Sequence, residues 1–238
     1  PDSFGDIAVP YFVAPTGIAF RPSDISKAAI VETTADGMEW MSWKSIVSHV
    51  ARATLLNDKR ETIAAALLAS GGKADSTDQA DLNRAESTLL SWCKAGLRLN
   101  GTTYPYLLLS GRRQMAHAYL GDALPLRPTV HFALPSEGFV ITCDFLAIPA
   151  SAPNPDLAHE FINYLCEPRV SADNMAWTLY RAPNVRGYIQ AKGSLDHPAL
   201  HLLEAEWANR GCVLPSLAQE EEDRLDAFWN KFQEYLEE

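Results

Sequence analysis

The chain has 238 residues, 47% of them hydrophobic and 10% aromatic, a composition ordinary for a globular protein with length for one or two cores. Acidic residues number 30 against 20 basic, and the net charge of −10 argues against nucleic-acid binding, which requires basic surfaces. No run of about 18 apolar residues occurs, so no stretch reads as a membrane-spanning helix.

The first element is the β-rich run VPYFVAPTGIAF at 9–20. Pro15 and Gly17 interrupt it, so it reads as two strands joined at a defined bend, as a connection between two lobes requires. Residues 42–50 form a short helical pattern and 53–56 a short strand. Asp58 opens a helix that runs to Leu68 and stops at Gly71-Gly72. Thr77 is the expected cap of a longer amphipathic helix over 78–94, with Leu82, Ala85, Leu89, Leu90 and Cys93 on one face.

A short strand at 97–99 precedes an apolar turn or short helix at 104–110, ended by Gly111. Residues 114–119 read as a strand, with Gly121-Asp122 starting the next helix. Two strands follow, 129–134 and 139–148. Asn154-Pro155-Asp156 starts a helix ending at Cys166, and Pro168 restarts one that reaches 178. Residues 187–198 are the most linker-like stretch. The tail, 217–238, is an acidic amphipathic helix with Leu225, Phe228, Trp229, Phe232 and Leu236 spaced to pack. Strands alternating with helices indicate an α/β fold, without internal repeats.

Several residues are candidates for chemistry. Asp58 and Glu61 have the spacing of a capping box at a helix start. Asp144 interrupts the apolar strand 139–148, where a charge is costly unless it is paired, faces a cleft or sits at an exposed strand end. Tyr119 and Tyr180, read alone, are core or interface aromatics. His197 and His201, with Glu204 one turn on, form a weak metal-binding pattern against a solvated first turn. Gly71-Gly72-Lys73 lacks the strand–loop–helix setting of a phosphate loop. No nucleophile elbow or Cys–His spacing points to an enzyme. Cys93, Cys143, Cys166 and Cys212 form no CxxC pair and are read as thiols inside apolar patterns, with two disulfides as the alternative.

The run at 9–20, SWKSI at 42–46, NDKRET at 57–62, YLGDA at 119–123, CDFLAIPASAPNPDLAHEFINYL at 143–165 and YRAPN at 180–184 stand in the order of one family. Together they resemble the polyamine-binding (spermidine and putrescine) branch of periplasmic solute-binding proteins, the receptors of ABC importers. The resemblance implies a two-lobed type II fold with one lobe incomplete, because it begins partway into such a receptor and no leader opens at residue 1. Residues 1–15 and 122–165 would be the remnant of the N-terminal lobe, and 16–121 with 166–238 the C-terminal lobe.

It further implies an interlobe site for a small cationic amine. Asp144, in its Asp-Phe-Leu-Ala-Ile-Pro context, Asp58 and Glu61 would grip amines, with Tyr119 and Tyr180 as aromatic walls. The family usually has Trp at the position of Tyr119 and a second Trp at that of Thr142, and Gln at that of Ala208. Those departures suit a smaller or differently functionalised amine. No cofactor is implied. The implied partners are the amine and a membrane permease, and the implied location is the periplasm. A receptor for an amino-acid-derived compound or a thiamine-like cation, and a ligand-free interaction domain of the same fold, are the alternatives.

Overall fold

The structure is a computed structural model that describes residues 7–35, 37–47, 52–201 and 209–237. Its backbone is β1 (Val9–Phe20), a twelve-residue strand that runs through two ladders. The first half pairs antiparallel with β8 (Phe139–Leu146), from Val9↔Leu146 to Pro15↔Ile141. The second half pairs with β6 (Met115–Tyr119), from Thr16↔Tyr119 to Phe20↔Met115, and with β7 (His131–Pro135).

The expected break at Pro15 and Gly17 is therefore absent. Pro15 sits where β1 exchanges one partner for another, a position at which a missing N–H disrupts least. Gly17 has a different role from a bend. A β-carbon there would come within 2.6 Å of the Ala133 carbonyl oxygen and the Phe132 ring, so glycine lets β7 approach β1. The only irregularity in the β1–β8 register lies between Pro10 and Phe12.

The sheet order among the described residues is β2-β3-β7-β1-β6-β4-β5, with β8 branching from β1 and β9 pairing with β8. Here β2 is Ile30–Thr33, β3 Glu39–Met41, β4 Ala53–Leu55, β5 Arg98–Leu99 and β9 Gly211–Cys212. The strands β2, β3 and β9 add to the elements expected from the sequence. The expected helix at 42–50 is α1 (Lys44–Val47), and residues 48–50 lie outside the described ones.

Side chains alternate across β1 and β6 to feed two cores. Ile18, Phe20 and Met115 pack beneath α2 (Lys59–Ala69), α3 (Gln79–Lys94) and α9 (Gln219–Glu237). Ala19, Ala116 and Ala118 face Tyr104 and Leu108 of α4 (Tyr104–Leu109), Phe132, Phe139 and Met175. Every residue of α2 from Glu61 to Ala69 is buried, because its alanines let the helix sit close on the sheet. The cap of α3 is Asp78, whose carboxylate accepts from Ala80 N and Asp81 N, rather than Thr77. Thr77 instead donates to Glu221 of α9. Lys59 ties α2 to α9 through Glu222 and Asp226.

The stretch 187–198 is no linker. Asn184 caps α8 (Val185–Ala191) by accepting from Gly187 N, and Gly187 packs against Ser171 of α7 (Pro168–Thr178). The helix α6 (Pro155–Leu165) has no buried residue, and Leu157, Phe161 and Tyr164 on it are more than half exposed. All four cysteines are free thiols, with Cys93 buried and the other three half-buried. No helix of the described residues is long and apolar enough to cross a membrane.

Candidate functional site

Tyr119 closes β6 and enters the short helix α5 (Leu120–Ala123). Buried beneath it, Tyr104 accepts from Tyr119 N at 3.2 Å and donates its hydroxyl to Asp122 Oδ2 at 2.7 Å. Tyr180 donates to the other oxygen, Asp122 Oδ1, at 3.2 Å. Its ring reaches this point because α7 ends on Leu179 in the left-handed conformation, φ 56°. The following backbone is stitched to β1 by Val13 N donating to Arg181 O at 2.7 Å. The Tyr180 ring then lies over Gly121 and 5.9 Å from that of Phe12.

Asp144 stands opposite Phe12 in the β1–β8 ladder. Paired residues share a face, so its carboxylate is on the side of β1 where Phe12 meets Tyr180. It lies in the exposed half of β8, which relieves the cost of a charge in an apolar strand. Thr142, two residues earlier on the same face, donates its hydroxyl to Ala14 O at 3.0 Å.

Asp58 is the N-cap of α2 and accepts from Glu61 N at 3.0 Å. The reciprocal half of the expected capping box is not formed. Glu61, 3% exposed, instead accepts from Thr16 Oγ1 at 2.9 Å and stands 3.5 Å from His117 Nε2. Asp58 remains exposed at the helix start.

Electrostatics links these groups. The Tyr119 phenol is pushed well above its ordinary range, first by burial and then by the charges of Glu61, Asp58, Asp122 and Asp144. The Tyr180 phenol is also raised, by burial, by the charge and hydrogen bond of Asp122, and by Asp144. Tyr119 thus stands in the field of four carboxylates, and Tyr180 in that of two of them, Asp122 and Asp144. Asp122 was legible only as part of a helix start, although it lies one turn from Tyr119.

The remaining candidates are engaged elsewhere. Both ring nitrogens of His201 have partners, Tyr188 Oη at 2.8 Å and the Leu195 carbonyl oxygen. His197 Nδ1 accepts from Ala199 N at 3.2 Å. Glu204 and Ala208 lie outside the described residues.

Three comparisons bear on this geometry. A family model described as bacterial extracellular solute-binding protein matches residues 5–200. The putrescine/cadaverine-binding protein of Pseudomonas aeruginosa is 26% identical over 182 residues, 70% of this chain and 49% of its own. The spermidine/putrescine-binding periplasmic protein 1 of Haemophilus influenzae is 28% identical over 169 residues, 69% of this chain and 44% of its own. The chain thus spans about half the length of these curated relatives. Among solved structures, the spermidine/putrescine ABC transporter substrate-binding protein PotD from Streptococcus pneumoniae superposes with a TM-score of 0.77 at 17% identity, covering 98% of this chain and 70% of that one. At that identity the likeness establishes the fold.

Proposed function

The chain belongs to the bacterial extracellular solute-binding protein family, and we propose that it binds a small cationic amine of the polyamine type beside Tyr119 and Tyr180. The observation that carries this reading is the placement of Tyr180, bonded to Asp122 and packed on Phe12, on the face of β1 where Asp144 stands; the nearby charges of Glu61, Asp58, Asp122 and Asp144 raise the Tyr119 phenol beside it. Carboxylates accept from an ammonium, and each such charged hydrogen bond contributes about 1.5–3 kcal/mol. Tyrosine faces pack on methylenes and attract the cation. The net charge of −10 adds long-range attraction for cations. The names of the relatives, putrescine and spermidine binders, support the same ligand class.

In this reading Asp144, Asp58, Glu61 and Asp122 are the anchors, Tyr119 and Tyr180 the walls, and Thr142 a smaller wall residue tied to β1. The first half of β1, β8 and α6 belong to one lobe, and the α2, α3 and α9 layer to the other. The protein would deliver its amine to a membrane permease from the periplasm.

The test is a thermal-shift screen with putrescine, cadaverine, spermidine, amino acids and thiamine, followed by titration calorimetry. Stabilisation by a diamine, with spermidine weaker, supports the reading. A response confined to amino acids or thiamine replaces the ligand class. No response to any solute favours an interaction domain of the same fold.

A further inference from the structure

Glu61 carries an unusual arrangement for a buried carboxylate. Oε2 is approached from two strands, by Thr16 of β1 at 2.9 Å and by His117 Nε2 of β6 at 3.5 Å. No hydrogen bond reaches Oε1 among the described residues, and yet the side chain is only 4% exposed. Oε1 is not among the fully buried side-chain atoms without a partner, so it is the carboxylate oxygen that a donor from outside can reach.

His117 is equally unusual. It is 1% exposed, and neither ring nitrogen has a hydrogen-bond partner among the described residues. The Trp43 ring packs edge-on against it at 4.9 Å, which fixes the plane of the imidazole. The 3.5 Å to Glu61 is about half an ångström beyond an ordinary N–H···O bond. At that distance the imidazole touches the carboxylate without a formed hydrogen bond, and a small shift of either side chain would close one.

The placement follows from strand and helix periods. His117 and Tyr119 are two apart on β6 and share a face. Thr16 is paired directly with Tyr119, and Glu61 lies one turn beyond Asp58 on α2. Tyr119 and Asp58 thus form an outer layer, and Glu61, Thr16 and His117 a buried layer behind it. The Thr16 hydroxyl also stands 3.3 Å from Val140 O of β8, at the point where β1 changes partners.

We propose that Thr16 and His117 are positioning residues that hold Oε2 of Glu61, so that Oε1 is the oxygen presented to the ligand's ammonium group. This rests on the reading of Glu61 as a cleft anchor, and it adds that the anchor is aimed by two side chains that never touch the ligand.

The test is calorimetric titration of the full chain with putrescine, using paired variants. Thr16→Val and His117→Leu each remove a donor and weaken binding about tenfold, the scale expected for coupled neighbours. Thr16→Ser and His117→Gln retain a donor and return to within about threefold of the unchanged protein. In a Glu61→Gln background, Thr16→Val and His117→Leu cause no further loss. A merely structural role would instead produce losses that add to that of Glu61→Gln, and this result overturns the proposal, as does full affinity in Thr16→Val. If His117→Leu does not fold, the Thr16 pair and His117→Gln decide. If the unchanged protein binds putrescine but Glu61→Gln has no effect, the proposal also fails, whereas absence of any amine binding refutes the ligand reading on which it rests.

Discussion

The Tyr180 ring lies so close over the Cα of Gly121 that a β-carbon there would come within 1.9 Å of a ring carbon. Hydroxyl bonding to Asp122 and packing against Phe12 hold the ring in that place. Gly121→Ala must therefore displace either Tyr180 or α5. Overpacking of this kind costs about 1–3 kcal/mol. Urea unfolding should show a lowered midpoint at an unchanged slope, and amine affinity should fall with it. An unchanged midpoint would mean that the ring moves freely.

Asp144 faces the same side of β1 as Phe12 and adds its charge at both tyrosines. Asp144→Asn removes the charge and keeps the shape. Loss of one partner of a hydrogen-bonded charge pair costs about 2–5 kcal/mol, so putrescine affinity should drop at least about tenfold. Titration calorimetry measures this directly. Undiminished binding of a neutral or anionic solute in the variant would contradict the cationic-ligand reading.

His197 is a buried N-cap, its ring edge-on to Phe132 at 6.4 Å. Burial, aided by the charge of Arg127, pushes its pKa down to about 4. The folded state therefore holds the ring neutral where the unfolded chain, near the ordinary 6.5, takes up a proton. The stability present above about pH 6.5 is lost as the pH falls towards 4, by up to about 3 kcal/mol. His197→Asn keeps a capping acceptor without titrating. Its stability should be flatter over that window in denaturant titrations. An identical pH slope in the two proteins would assign the acid sensitivity to other groups.

On α6, Leu157, Phe161 and Tyr164 are 63%, 58% and 52% exposed and follow i, i+4, i+7 spacing along one face. Phe161→Ser should change stability by no more than about 0.5 kcal/mol, as exposed positions do. It should also reduce binding of a hydrophobic dye. A loss of several kcal/mol would show that this face is already covered in solution.

Much of the fold was legible because local signals agree with tertiary demands. The turn–helix signals at Asp58, Asn154 and Pro168 each open a helix within a residue or two of expectation. Where a local signal served a distant purpose, the reading failed. Gly17 looks like a bend and is a close approach to Phe132, and Gly187 looks like a linker and is a helix packed on Ser171. Thr77 looks like a cap but reaches across to Glu221.

The sequence by itself determined that the chain is α/β and acidic, that Asp58 starts a helix, and that Asp144 is a charge in an apolar strand. These are properties of neighbours along the chain, governed by side-chain period, backbone propensity and composition. It also carried a family resemblance that named Asp58, Glu61, Tyr119, Asp144, Tyr180 and Thr142. Only the tertiary structure decided that Asp122 joins Tyr104 to Tyr180, and that Glu61 turns inward to Thr16 and His117 instead of completing a capping box. Those contacts join residues 18 to 58 positions apart. They exist because β1 spans both ladders and α2 and α7 converge on its midpoint, which no local pattern encodes.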